Sequence, residues 1–320
     1  MVQKKPLVTI IIPARNAEKI IGKALNSVLK QDHEKIEILV VDDKSTDKTA
    51  QAVRKFKSRK IKLIKNKKNL GPGGSRNVAI KAAKGEYTAF TDADCTVPKD
   101  WITNYLKEAK KQKAEILCGP VQTPKELNFF ARAVGVLGRP SPTINWSGQV
   151  VHFPTCNAFF KTKILKEYKG FAEASKAKRA AETDLLARLW QKGYRFHHSP
   201  KSPIMHYHRS NFKQFMRWRF ISGIGTFDVA SKYIKTFKPS YFFFNFIPLL
   251  MLALAIIGLF YKPVYASAII IAYYLFKFLI NYSIKEEFNA AELALGVLLM
   301  IISRITKSAG FYYAFFRRII

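Results

Sequence analysis

Tyr87-Thr88-Ala89-Phe90-Thr91-Asp92-Ala93-Asp94-Cys95-Thr96-Val97-Pro98 is the stretch that decides the fold of this 320-residue chain. An apolar run ends in two carboxylates one residue apart. A strand ending there sets both at its C-terminal edge, where an open α/β sheet binds its ligands. Two hard oxygen ligands at one strand end suit Mg²⁺ or Mn²⁺ carrying a diphosphate, because those ions prefer carboxylate and phosphate oxygens. An acidic pair after a strand serves equally as a turn former.

Working upstream, residues 7–12 (Leu-Val-Thr-Ile-Ile-Ile) are a continuous apolar run ending at Pro13, the pattern of a strand covered on both faces. Ile20, Ile21, Ala24, Leu25, Val28 and Leu29 then recur at helical spacing. A second strand, 36–41, ends in Asp42-Asp43, and Ser45-Thr46-Asp47 opens a helix with Ala50, Val53 and Phe56 inward. A third strand at 61–65 leads into Asn69-Leu70-Gly71-Pro72-Gly73-Gly74-Ser75-Arg76-Asn77 and a helix through Ala83. The βαβα order predicts an α/β fold with a doubly wound, mostly parallel sheet. Asp42, Asp43, the Gly-rich loop, Asp92 and Asp94 are then expected in one cleft.

Composition divides the chain. Residues 1–239 are lysine-rich, whereas 241–320 are dominated by Phe, Leu, Ile, Ala and Tyr. With 54 Lys plus Arg against 22 Asp plus Glu, the net charge is +32, which implies an anionic partner. The apolar tail points to a bilayer containing anionic lipid rather than to nucleic acid. Met1-Val2-Gln3-Lys4-Lys5-Pro6 runs straight into the first strand pattern, unlike a leader. Cys95, Cys118 and Cys156 lack metal-type spacing and read as reduced thiols in a cytosolic compartment.

Five ordered motifs carry a family resemblance: Ile-Ile-Pro-Ala-Arg-Asn at 11–16, Val-Val-Asp-Asp-Lys-Ser-Thr-Asp at 40–47, Gly-Gly-Ser-Arg-Asn at 73–77, Lys-Gly-Glu-Tyr at 84–87 and Asp-Ala-Asp at 92–94. Residues 5–235 resemble family 2 glycosyltransferases of the GT-A fold. With the apolar tail, the chain is similar to dolichyl- or polyprenyl-phosphate sugar transferases. The resemblance implies transfer of a sugar from a UDP- or GDP-linked donor, with inversion at the anomeric carbon, assisted by Mn²⁺ or Mg²⁺.

Chemistry gives these residues roles. A metal bridging the leaving diphosphate stabilises its growing charge. Asp94 is the first-choice ligand, with Asp92 beside it at the metal or the ribose and Ala93 between them. By the family pattern Asp43 holds the nucleobase, while Asp42 either shares that pocket or caps the following turn. Pro13, Ala14 and Arg15 line the same pocket. Gly73 and its neighbours permit close backbone approach, and Arg76 offers a forked donor to phosphate or to a neighbouring Asp.

Asn157, in Pro-Thr-Cys-Asn-Ala-Phe-Phe at 154–160, is expected on the acceptor side. In Ala181-Glu182-Thr183-Asp184-Leu185 the family pattern places a general base. Register favours Glu182 and residue type favours Asp184, and the two stay open. A base acts only on a hydroxyl nucleophile; a lipid phosphate, with a second pKa of about 6, is already ionised. In similar enzymes a histidine after the last core strand approaches the metal or diphosphate, which makes His206 the third metal candidate. Gln214, Arg217 and Trp218 match the Gln-x-x-Arg-Trp signature of processive polysaccharide synthases; the same stretch also suits a helix lying on a membrane surface.

The expected organisation is therefore a catalytic domain over 1–210, an amphipathic interfacial region over 211–239 and a transmembrane region over 240–320. Residues 241–261 and 263–282 read as spans with cytoplasmic basic flanks, and 290–316 as re-entrant, interfacial or spanning. That arrangement predicts a multi-pass protein of the cell membrane, its catalytic domain cytoplasmic and its acceptor a lipid phosphate or lipid-linked glycan. The competing readings are a processive synthase and a non-catalytic basic tether for lipid or nucleic acid. The tether leaves the acidic cluster unexplained, since carboxylates repel phosphate unless a metal intervenes.

Overall fold

The computed structural model describes residues 5–138, 143–144, 150–172, 181–207, 211–232 and 290–319. These fall into two compact units, one built from 5–123, 143–144, 150–172 and 181–207, the other from 124–138, 211–232 and 290–319.

The first unit is organised by a seven-stranded sheet. Four strands run parallel as the βαβα pattern requires: β1 (Val8–Ala14), β2 (Ile36–Asp42), β3 (Ile61–Lys65) and β4 (Tyr87–Phe90). With β6 (Ile116–Cys118), β10 (Ala158–Lys161) and β11 (His197–His198), the order is β11-β6-β10-β4-β1-β2-β3. Only β10 runs antiparallel to its neighbours. A smaller sheet joins β5 (Cys95–Thr96), β12 (Ile204–His206) and β7 (Val121–Gln122) beside it.

Alternation along the strands builds two cores. Val8, Ile10 and Ile12 of β1, with Ile36, Ile38 and Val40 of β2, pack toward α1 (Ile21–Leu29) and α4 (Trp101–Gln112). Ile11, Leu39 and Val41 face the opposite way, toward α3 (Gly71–Ala82), α6 (Thr162–Glu167) and α7 (Ala181–Gln191). Both faces are covered, so the strands read as unbroken apolar runs. The short α2 (Thr49–Arg54) completes the β2–β3 crossover.

In the second unit α8 (Phe212–Lys232) packs on α9 (Ala290–Ile319), and α5 (Phe129–Gly138) packs on α9. A Cβ on Gly223 would meet the Lys307 carbonyl, and one on Gly310 would meet that of Phe220, so the α8 and α9 backbones are in direct contact there. Phe215, Ala133, Val134 and Leu299 form one buried cluster, and Phe227 with Phe311 a second. The apolar side of α8, expected to lie on a membrane surface, is thus covered by protein. Segment 124–138, expected within the catalytic domain, joins this unit because Phe130, Ala133 and Val134 pack into its core.

Residues 241–261 and 263–282, expected as spans, lie outside the described residues. The third apolar segment lies within α9, one continuous helix of 30 residues, so it does not turn back as a re-entrant segment would. Among the described residues no helix is long and apolar enough to cross a membrane. The expected multi-pass region therefore finds no support among them.

Candidate active site

The carboxyl ends of β1, β2 and β4 open toward the first turns of α3 and α7. On the β1–β2 side the loops are latched together. Asn16 sits at φ 50°. Its backbone N–H donates to Ser45 Oγ (3.0 Å), and its Oδ1 accepts from the Thr46 N–H (2.9 Å). Asp47 accepts from the Glu18 N–H (3.0 Å) and the Thr49 N–H (3.0 Å). Burial raises the Asp47 pKa, but these hydrogen bonds and that from the Thr49 hydroxyl outweigh it and hold the carboxyl below 3.8. Pro13 and Ala14 end β1 between these latches, and Arg15 points out exposed.

Asp42 caps the turn after β2, its Oδ1 accepting from the Ser45 N–H at 3.0 Å. Asp43 is buried and holds the start of α3. It accepts from the N–H groups of Leu70 (2.7 Å) and Gly71 (2.8 Å) and from Asn66 Nδ2 (2.9 Å). Gly71 opens α3 at φ +74°, a region costly for any residue with a Cβ. Asn66 also donates to Ser75 Oγ at 3.0 Å, binding β3 to α3. Sequence reading missed Asn66. It directly follows the third parallel strand, so the strand-end rule that marked Asp43 and Asp92 marks it too.

Gly73, Ser75, Arg76 and Asn77 of the Gly73–Asn77 motif each make a defined contact. A Cβ on Gly73 would crowd Ala181 Cβ at 2.7 Å, which brings the first turns of α3 and α7 together. Asn77 pairs with the Phe171 backbone through both ends of its amide (2.7 and 2.8 Å). Arg76 is buried, lies 5.5 Å from the Phe171 ring centroid and pairs with Asp92 at 2.6 Å. Its Nε has no partner among the described residues.

Asp94 and His206 meet one residue further on. Antiparallel pairing of β5 with β12 sets Cys95 opposite His206. This leaves Asp94 Oδ2 3.4 Å from His206 Nε2. Burial favours neutral imidazole, but the Asp94 carboxylate outweighs it and raises the His206 pKa to about 9. Ala93 is buried between the two carboxylates, whose side chains are 30% (Asp92) and 38% (Asp94) exposed. A carboxylate and an imidazole nitrogen converging on a partly open face form a donor set that fits Mn²⁺; Mg²⁺ is satisfied mainly by the carboxylate. Asp92 has one oxygen, Oδ1, on Arg76.

The two carboxylates at the start of α7 differ. Asp184 is buried, and its Oδ2 accepts from Arg188 Nε at 2.7 Å, while Arg188 also donates to the carbonyls of Tyr168 and Gly170 (2.6 Å each). Asp184 therefore clamps α7 to the turn before Phe171. Glu182 is half-buried and makes no hydrogen bond or ion pair among the described residues.

Asn157, expected on the acceptor side, is instead a buried strut. It is fully buried, its Oδ1 accepting from Trp101 Nε1 (2.9 Å) and Tyr105 OH (2.7 Å) and its Nδ2 donating to the carbonyls of Pro120 and Ser202 (2.8 Å each). Every hydrogen-bonding position of its amide is used internally. Gln214, Arg217 and Trp218 lie on α8 in the second unit. Gln214 and Arg217 are exposed there. Trp218 packs beside Phe215 with the Arg219 guanidinium 5.0 Å from its ring, so its face is already covered.

The family described as Glycosyl transferase family 2 matches residues 9–169, half of the chain and all of the strand ends just described except His206 and α7. The chain belongs to glycosyl transferase family 2. Among relatives of this family member, the WfgD UDP-Glc:alpha-D-GlcNAc-diphosphoundecaprenol beta-1,3-glucosyltransferase of Escherichia coli is 44% identical over 101 residues, covering 32% of this chain and 38% of that protein. A second such glucosyltransferase of Escherichia coli, WfaP, is 36% identical over 137 residues, covering 39% and 55%. The chain thus spans about half or less of the length of these curated relatives. In fold it is similar to the mannosyltransferase PcManGT from Pyrobaculum calidifontis, solved in complex with GDP-Man and Mn²⁺. That likeness has a TM-score of 0.60 at 22% identity and covers 99% of this chain and 88% of that one.

Proposed function

We propose that the protein transfers a glycosyl group from a nucleoside-diphosphate sugar to a hydroxyl of a lipid-linked glycan, with a divalent cation at Asp94 and His206. The carrying observation is the line of contacts from Asp43 through α3 to Arg76, Asp92, Asp94 and His206 along the carboxyl edge of the sheet. It aligns, in order, an acceptor for a base, a buried guanidinium and a cation-binding pair.

In this reading Asp43 has one of about four carboxylate lone-pair positions left for a base N–H, flanked by Pro13, Ala14 and Arg15. Asp92 receives a ribose hydroxyl. The orphaned Nε of Arg76 is satisfied by a diphosphate oxygen, and the guanidinium stays on Asp92 while it does so. The divalent cation, when bound, neutralises charge that grows on the departing diphosphate.

Glu182 is the general base. The acceptor oxygen bonds to the anomeric carbon as the bond to diphosphate breaks on the opposite face, and the hydroxyl proton passes to Glu182. Asp184, held by Arg188, positions the helix that carries it. A hydroxyl acceptor is favoured over a lipid phosphate because only a hydroxyl needs this base. Undecaprenol-diphosphate glycans, the acceptors named for both Escherichia coli relatives, supply the model chemistry.

Calorimetric titration of the full chain with UDP and with GDP, each with and without Mn²⁺, tests the donor half. The reading expects cation-dependent binding of one of them and fails if neither binds. Incubation with radiolabelled nucleotide-sugars and extracted lipids tests the acceptor half. Label should enter organic-extractable lipid; label in high-molecular-weight polymer instead would favour a synthase.

A further inference from the structure

Beside the cation-binding pair lie two cysteines that the reaction above does not use. Cys95 Sγ, Cys156 Sγ and a ring nitrogen of His206 all lie within 4.8 Å of one another. Asp94 joins them, its Oδ1 3.7 Å from Cys95 Sγ and its Oδ2 3.4 Å from His206 Nε2. We propose that Cys95, Cys156, His206 and Asp94 form a closed site for a soft divalent cation of the zinc class.

The geometry is close to that of an occupied site. Tetrahedral zinc with ligands at about 2.0–2.3 Å spaces its ligand atoms roughly 3.3–3.8 Å apart. The Cys95, Cys156 and His206 ligand atoms need to draw together by at most about 1.5 Å, and Asp94, which now meets Cys95 through Oδ1 and His206 through Oδ2, turns one oxygen inward to complete the set. Rigid elements supply the ligands. Cross-strand pairing of β5 and β12 fixes Cys95 against His206, and Cys156 sits in the short turn Thr155–Asn157, anchored by the four hydrogen bonds of the Asn157 side chain. Both sulfurs are buried, while Asp94 and His206 are partly exposed, so a cation enters from their side.

Ligand softness sets the preference. Two thiolates with an imidazole select zinc-class ions, whereas Mg²⁺ and Mn²⁺ favour the oxygen-rich outer face made by Asp94 and a diphosphate. The two sites share Asp94 and His206. Occupancy of the inner site therefore withdraws both donors from the outer one, and zinc antagonises sugar transfer. That consequence rests on the proposed transferase reading; the soft-cation site itself does not.

Cobalt titration of the full chain, with thiols kept reduced, tests the site directly. A thiolate-to-cobalt charge-transfer band should saturate at one equivalent, bleach on adding Zn²⁺, persist in Cys118→Ser, weaken in Cys156→Ser and vanish in the Cys95→Ser/Cys156→Ser double variant. Absence of the band in folded, reduced wild type overturns the site, as does its survival in the double variant. In the turnover assay, Cys156→Ser should need at least about tenfold more zinc for half inhibition. Equal zinc sensitivity would refute the link between the sites. A chain that shows the band but no sugar transfer refutes the transferase reading and leaves the soft-cation site standing.

Discussion

Asp42, Asp43 and Asp47, after β2, accept hydrogen bonds from backbone amides, whereas Asp92 and Asp94, after β4, face the side-chain cations Arg76 and His206. The first group is tied to backbone N–H groups of the loops, and Asp42 and Asp43 are only 3% and 4% exposed. The second group has side chains that are 30% and 38% exposed and holds partners that a ligand can share. Carboxylates at one sheet edge thus divide into those that shape the loops, Asp43 among them with one position left for a ligand, and those held by side-chain cations, and the partner type tells them apart.

The sharpest way to break this comparison is to remove one member of each group. Asp94→Ala should lower sugar transfer by on the order of a thousandfold and move the melting temperature far less than Asp43→Ala does, since it removes electrostatic stabilisation of the leaving group and side-chain contacts with His206 and Cys95 rather than acceptors for backbone amides. Asp43→Ala should do the reverse to the fold. It strands the Leu70 N–H, at a cost of about 1–3 kcal/mol, leaves the buried Gly71 N–H only its bond to Asn69 Oδ1 (3.1 Å), and should lower the denaturation midpoint clearly. Unaltered stability in Asp43→Ala, or unfolding in Asp94→Ala, would erase the distinction.

The same test applies across one turn of α7. Glu182→Gln should reduce kcat with a hydroxyl acceptor by about a hundredfold, the scale of a lost general base, without a stability change. Asp184→Asn should lower stability by about 2 kcal/mol through its hydrogen bond with Arg188 and affect turnover far less. Swapped outcomes would return the base to Asp184.

Much of this was legible in the sequence because parallel strands impose a strong local pattern. Apolar runs ending in Pro13, Asp42-Asp43 and Asp92 marked the strands and their functional edge, and helical spacing marked α1. Three features were hidden because they depend on distant partners. Asn157 looked like an acceptor-side residue; only the fold shows Trp101 and Tyr105 filling its hydrogen bonds. The α8 helix read as a membrane-surface element because its apolar side has a partner, α9, that begins 58 residues after α8 ends. Asn66 was missed because its role rests on its bonds to Asp43 and Ser75, whereas His206 was marked as a metal candidate by the family resemblance.

Within the loop-shaping group, smaller effects rank the contacts. Gly71→Ala forces a Cβ at φ +74° while leaving the Asp43 acceptor in place, so it should cost about 1–2 kcal/mol in chemical denaturation. A neutral outcome would mean that the Asp43 hydrogen bonds, rather than the glycine conformation, set the start of α3.

Asp47 gives the weakest and most specific test, because its contribution depends on pH. Its folded pKa lies below the ordinary value of 3.8, so the folded protein prefers the carboxylate more than the unfolded chain does. The stabilisation is therefore fully present above the ordinary value and is lost as pH falls through the folded one. Comparing wild type with Asp47→Asn by thermal melting should show a constant gap from neutrality down to about pH 5, closing below the carboxylate range. A gap that persists in acid would assign the latch between the β1 and β2 loops to neutral contacts such as Asn16 with Thr46, and would remove Asp47 from the group defined by charge held on backbone amides.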